Sequence, residues 1–402
     1  MNNTEVISTS FEPGAAPKEG TIPLCVPEMS GNEWQYVKEC LDTNWVSSAG
    51  PFVNRFETMV AAYVGARFAV ATASGTAALH LALLVAGVEL NEEVIVSSLT
   101  FVAPVNAIRY VGAWPVFIDA EPNHWQMDPQ KVADFLTKQC TWANGELRNK
   151  STGRRVKAIL PVHILGHPCD MDPIVQIARK FELVLVEDAT EALGARYKSR
   201  PVGKPGDVAC FSFNGNKIIT TGGGGMIVTD NERWAEKAKY LSTQAKDNPI
   251  EYIHDEVGYN YRLTNIQAAL GVAQMEQLDK HIAAKRNIKA VYKEALRDLP
   301  GIKTHDDAAT VFSSCWMSPI TVDPVAFGCD SRGLMDKLKE NNIQSRPLWH
   351  PVNSLRPFKT CQSYEVRVAD QLYRDALNLP CSVGLTPTAQ TRVIESIREF
   401  AR

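Results

Sequence analysis

At 402 residues the chain is too long for one ordinary core and suits a large unit joined to a smaller one. Its 42 basic and 45 acidic side chains leave no surplus to neutralise a phosphate polymer or an anionic bilayer face, which excludes nucleic acid and membrane as partners. Nine scattered cysteines, with no Cys-x-x-Cys pair and no zinc-like spacing, fit reduced thiols in the cytosol and no metal site.

Residues 1–21 are rich in Ser, Thr, Gly and Pro without periodicity, and they read as a flexible arm without the apolar run of a signal peptide. Apolar residues recur at helical spacing from Glu33 to Leu41, SSAGP interrupts them, and the spacing resumes from Phe52 to Tyr63. Strands and helices then alternate. Arg67–Ala71, Glu93–Ser97 and Pro115–Asp119 read as strands, with helices over Thr76–Ala86 and Pro104–Val111. Ala158–Val162, Leu183–Glu187, Val208–Phe213 and Gly225–Thr229 are short apolar runs with almost no polar alternation, as expected of strands covered on both faces. The pattern predicts an α/β fold with a mainly parallel, helix-sandwiched sheet. One long helix is expected from Asn265 to about Ala295, bridging a large unit (22–270) and a small C-terminal α+β unit (271–402). The latter has a strand at Cys315–Ser318 and a helix at Ser331–Asn341.

The segment FSFNGNKIITTGGGGMIVTD, Phe211–Asp230, sets a strand, a lone lysine, four glycines and a second strand in twenty residues. Gly222–Gly225 allow a sharp turn and close approach to a flat ligand. A lysine just before such a run can sit in a confined pocket, where desolvation frees an amine to attack an aldehyde. Lys217 reads equally well as a solvated loop lysine. Asp188, in EDATEAL, follows the apolar run FELVLV and emerges at the carboxyl end of a buried strand, where α/β ligand sites form; a structural acid or helix cap is the other reading. SGTAAL, Ser74–Leu79, starts a helix after a strand, so Gly75 and Thr76 offer N–H groups to an anion or belong to an ordinary cap.

Together these segments resemble the DegT/DnrJ/StrS-type sugar aminotransferases, a branch of the fold-type I pyridoxal-phosphate enzymes, over about residues 22–400. SGTAALHLAL, TFVAPVNAI, VFIDAEP, PVHILGHPCDM, VEDATEALGA, FSFNGNKIITTGGGG and GYNYRLTNIQAALG occur in the family's order and at its spacing. The resemblance implies that Lys217 joins the cofactor covalently and later shuttles a proton, while Asp188 holds the pyridinium nitrogen as the ring acts as an electron sink. Gly75, Thr76 and Ser212 would bind the phosphate and Phe101 would stack on the ring. Asn260 would reach the phosphate of the neighbouring subunit in a homodimer with shared active sites, with Arg262 contacting substrate or supporting that loop. Glu191 stands where many members carry Gln or His, and is either a proton-handling group or a hydrogen-bond acceptor behind the site. His163 matches a family histidine near the active site, or is a satisfied core histidine. Arg346, Trp349 and His350, in NIQSRPLWHPVN, resemble a loop that grips nucleotide-linked hexoses, where Arg would fork onto a diphosphate and Trp stack on a ring. An interdomain packing loop is the alternative.

The implied activity is cytoplasmic transfer of an amino group from glutamate, through pyridoxal phosphate and its pyridoxamine form, to a UDP- or GDP-linked 4-keto-6-deoxyhexose for surface glycans. A dehydratase-like relative using pyridoxamine phosphate would carry histidine in place of Lys217. A non-catalytic binding or regulatory protein would have no use for that lysine. Neither the dinucleotide GxGxxG nor the P-loop pattern accompanies the glycine run.

Overall fold

The computed structural model describes residues 20–248 and 250–401, so most of the arm expected over 1–21 lies outside the described residues. Twelve strands define the architecture. Seven come from the first 230 residues: β1 (Phe68–Thr72), β2 (Glu93–Ser97), β3 (Trp114–Ile118), β4 (Val156–Leu160), β5 (Val184–Asp188), β6 (Val208–Ser212) and β7 (Gly225–Thr229). Five follow residue 300: β8 (Ile302–Thr304), β9 (Ser318–Val322), β10 (Arg346–Pro347), β11 (Ser363–Tyr364) and β12 (Ala376–Leu379). The large sheet runs β1-β7-β6-β5-β4-β2-β3-β11. Every neighbouring pair is parallel except the two made by β7, which lies antiparallel to both β1 and β6. All five residues of β2 and of β7 are buried, as expected for strands covered on both faces.

The helices supply that cover. α1 (Glu33–Asp42) and α2 (Pro51–Val64) precede β1, while α3 (Gly75–Val85) and α4 (Ala103–Tyr110) follow β1 and β2. Ala77–Leu83 of α3 are all buried, including Leu79, Leu81 and Leu83. Each such leucine contributes about 1.5–3 kcal/mol relative to an exposed one. Because β1, β2, β4, β5 and β6 point the same way, the loops leaving them meet along one edge, the carboxyl edge of the sheet. That is where open α/β sheets form ligand sites.

The second sheet, β8-β9-β12-β10, is antiparallel and built wholly from residues after 300. Helices Ser331–Glu340 and Pro387–Glu399 pack on each other beside it. The helix expected over Asn265–Ala295 is two helices, α5 (Asn265–Met275) and α6 (Leu278–Leu296), with Glu276 and Gln277 between them. A single rod would not serve both surfaces: α5 packs on α1 and α2, whereas α6 meets β8 and the C-terminal helix. The strand expected at Cys315–Ser318 begins instead at Ser318, because Cys315 adopts φ +54° and breaks extended backbone. No helix among the described residues is long and apolar enough to cross a membrane.

Candidate active site

A cavity of about 370 Å³ opens at the carboxyl edge of the large sheet. One side is the start of α3. Ser74 caps the helix by accepting the Ala77 N–H at 3.0 Å, while the N–H groups of Gly75 and Thr76 make no hydrogen bond among the described residues. Free amides at a helix N-terminus make a ready anion site. A Cβ on Gly75 would lie 2.8 Å from Ser212 Cβ, at the end of β6, so glycine alone lets the two elements meet. The glycine run follows the same logic on the next strand. A Cβ on Gly225 would come within 2.3 Å of the Ser74 carbonyl oxygen, and Gly223 and Gly224 line the cavity.

Lys217 lies between these walls. Its Nζ is 3.5 Å from Glu191 Oε1 and 4.2 Å from the centroid of the Trp316 ring. Trp316 Nε1 donates to the Asn216 carbonyl at 2.6 Å, which ties the ring to the residue before the lysine. Glu191 Oε2 accepts the N–H of Leu165 at 2.9 Å, and Leu165 sits at φ +61°, a left-handed conformation uncommon for leucine and held here by that bond. Burial pushes the Glu191 carboxyl above its ordinary range, with the Lys217 charge opposing. Asp188, 1% exposed, closes β5 and accepts the Thr190 N–H at 3.0 Å. Burial raises its carboxyl too, against hydrogen bonding from Thr190 and the charges of Lys217 and His163.

The structure thus brings Gly75, Thr76, Phe101, Glu191, Ser212, Lys217 and Trp349 onto one cavity. Phe101 is 54% exposed, a large aromatic with an open face at the site. Other expected residues stand elsewhere. His163 is fully buried behind Asp188: its backbone N–H donates to the Asp188 carbonyl at 3.0 Å. Its Nδ1 accepts the Cys169 N–H at 3.1 Å, which leaves the ring proton on Nε2 facing Glu187 at 2.9 Å. Both ring nitrogens are engaged within the core, which favours the reading of a satisfied core histidine over a catalytic one. Arg262 is likewise committed, its Nη1 donating to Glu57 Oε1 at 2.5 Å with both side chains nearly buried. That pair supports the loop through Nη1, while Nη2 and Nε make no hydrogen bond among the described residues. Arg346 is exposed and donates to its neighbour's carbonyl at 2.8 Å, and His350 shares a 2.8 Å hydrogen bond with Ser354. Neither lines the cavity, so of that loop only Trp349 does. Asn260 is exposed, bridges Thr243 through its backbone, and also stands outside the cavity of its own chain.

Sequence reasoning missed Trp316, Thr190, Asn214 and Asn216, which line the same cavity. Thr190 was within reach, two residues after Asp188. Trp316 carried no spacing signal, since its ring arrives from nearly 100 residues beyond the lysine it covers.

Free helix-end amides, a glycine cradle against Ser212, an open aromatic face and a buried carboxylate without a cation bonded to it all suit a flat, phosphorylated pyridine. A lone lysine among them defines a lysine-dependent transferase of the pyridoxal-phosphate type. The DegT/DnrJ/EryC1/StrS aminotransferase family model matches residues 27–398, and the chain belongs to that family. It is 40% identical to a GDP-perosamine synthase of Caulobacter vibrioides, over 94% of this chain and 97% of that one. It is 39% identical to a putative pyridoxal phosphate-dependent aminotransferase, EpsN, of Bacillus subtilis, over 93% and 94% of the two chains. The crystal structure of DesI in the presence of its TDP-sugar product superposes with a TM-score of 0.85 at 29% identity, covering 96% of this chain and 94% of that one. The protein is a pyridoxal-phosphate-dependent aminotransferase.

Proposed function

We propose that the enzyme moves an amino group from glutamate to a nucleotide-linked 4-keto-6-deoxyhexose, preferentially a GDP-linked one, in the synthesis of an amino sugar for surface glycans. The observation that carries the reading is the Lys217 amine poised 3.5 Å from a buried carboxylate and 4.2 Å from an indole ring, inside a cavity whose far side is the Trp349 ring. The 40%-identical GDP-perosamine synthase supports a GDP-linked acceptor, and DesI, crystallised in the presence of its TDP-sugar product, supports a nucleotide-sugar product.

When bound, pyridoxal phosphate supplies the carbonyl that takes the donor's nitrogen and a ring that delocalises the electrons of the broken C–H bond. The chain's residues do the rest. Gly75, Thr76 and Ser212 hold the phosphate, Asp188 holds a proton on the ring nitrogen, and Phe101 packs against the ring. Lys217 Nζ carries the proton from one carbon to the other, and Glu191 sets where that amine rests. Trp349, with Trp316 parallel to it at 9° and 6.5 Å between centroids, gives the sugar an apolar platform. We further propose a homodimer in the cytoplasm in which Asn260 completes the neighbouring phosphate site, with the chain divided at 270/271.

The test is mass spectrometry of products after incubating the holoenzyme with glutamate and a panel of GDP-, UDP- and TDP-linked 4-keto-6-deoxyhexoses. The expected result is an amino sugar with the GDP-linked substrate and release of 2-oxoglutarate. Turnover of none of the panel, with the cofactor still bleached by glutamate, would sink the acceptor assignment while leaving the donor half intact.

A further inference from the structure

Behind the cavity lies a second cluster that the transfer reaction does not use. Lys285, on α6, is 1% exposed. Its ammonium donates to the carbonyls of Trp316 at 2.9 Å and Cys381 at 2.8 Å, and it lies 3.4 Å from Cys25 Sγ and 3.8 Å from Cys381 Sγ. Among the described residues no carboxylate bonds to it. A buried cation without an anion is costly, so the interior must supply a counter-charge. The acids within reach are the two thiols. Cys25 is placed for the role: the Leu24 carbonyl accepts the Cys381 N–H at 2.7 Å and the Val26 N–H donates to Ser382 Oγ at 3.0 Å, pinning the cysteine between them against Cys381.

We infer that Cys25 is a thiolate ion-paired with Lys285, and that it is a site of covalent modification by soft electrophiles coupled to the active site. The hydrogen bond from Cys381 and the Lys285 charge bring Cys25 down to about 6, against burial, with Lys217 helping. Cys381 moves the opposite way, well above the ordinary range, because its proton is shared toward Cys25. In the modification the sulfur lone pair forms the new S–C bond as the carbon–halide bond of a haloacetamide breaks and halide leaves. The consequence reaches the lysine by two short paths. Cys25 Sγ lies 3.5 Å from the carbonyl of Asn216, next to Lys217, and Lys285 holds the carbonyl of Trp316, whose ring covers the Lys217 amine. Neutralising the sulfur leaves Lys285 charged and unpaired beneath both.

The test is iodoacetamide labelling of the holoenzyme at limiting reagent, followed residue by residue by mass spectrometry, with N-acetylcysteine in the same solution as the free-thiol control. Between pH 7 and 8 the Cys25 rate should change by less than about twofold, while that of the free thiol rises by roughly eightfold. Lys285→Met should give Cys25 the steep profile of the control, and Cys25→Ser should protect activity that the wild type loses in step with labelling. A wild-type Cys25 profile as steep as that of the free thiol overturns the thiolate, whether or not the lysine variant folds. Full activity after complete Cys25 labelling overturns the coupling.

Discussion

The cavity has two walls of different origin. One is made by Gly75, Thr76, Ser212 and Lys217, which sit at or just beyond the ends of β1 and β6 and are fixed by backbone geometry, such as the 2.8 Å that separates a would-be Gly75 Cβ from Ser212. The other is made by Trp316 and Trp349, carried in from beyond residue 300 on irregular backbone and held by long-range contacts such as Lys285 to the Trp316 carbonyl. The first wall has the equipment for a cofactor common to many reactions, and a change there should weaken both half-reactions with every substrate. The second faces whatever enters afterwards, so changes there should discriminate between substrates.

The largest effect should come from the first wall. Lys217→Ala removes the amine that takes the cofactor and moves the proton, and turnover should fall by at least about 10⁴-fold. Borohydride reduction of the wild type loaded with pyridoxal phosphate should fix the cofactor on the Lys217 peptide in mass spectrometry; fixation on a different lysine would break the assignment. Asp188→Ala should lower turnover by about 10³-fold and weaken cofactor binding, since the other acid at the end of β5, Glu187, is taken up by His163 and by the N–H groups of Gly203 and Gly206. Gly75→Ala drives a methyl into Ser212, and cofactor affinity should drop by about 10-fold or more without loss of the fold, measured by absorbance titration.

The two walls also differ in how legible they were. Gly75, Ser212 and Asp188 could be placed from the chain alone because each follows an apolar run whose length and composition mark a buried strand. The parallel order of those strands then gathers their ends at one edge. Trp316 had no such marker, as its position depends on Cys315 taking a left-handed backbone and on packing across nearly 100 residues. The break between α5 and α6 was hidden for a related reason: nothing in the local helical pattern says that its two halves serve different neighbours. His163 and Arg262 were found as conspicuous polar residues near motifs, yet whether such a group faces a ligand or a buried carboxylate is decided by Glu187 and Glu57, which only the fold brings near.

Trp349→Ala tests the second wall at an intermediate size. Losing an aromatic platform of this kind costs on the order of 1–2 kcal/mol, so KM for the sugar should rise by about 10-fold. The single-turnover rate with glutamate alone should stay within about twofold, and an equal loss in both half-reactions would erase the distinction between the walls.

The smallest kinetic effect is expected at Arg262, where the expectation of substrate contact and the observed geometry part company. Its guanidinium is paired with Glu57, which also accepts the Ala71 N–H at 2.8 Å, so the pair fastens the loop at Arg262 to the end of β1. Arg262→Leu leaves Glu57 buried without its cation, which costs about 3–5 kcal/mol of folding stability. Denaturant unfolding should show that loss, whereas kcat and both KM values, per folded molecule, should stay within about twofold. A selective rise in KM for glutamate or for the sugar, with stability preserved, would move Arg262 back into the substrate site. The Nη2 and Nε donors, which make no hydrogen bond among the described residues, would then be the ones that reach the substrate while Nη1 keeps Glu57.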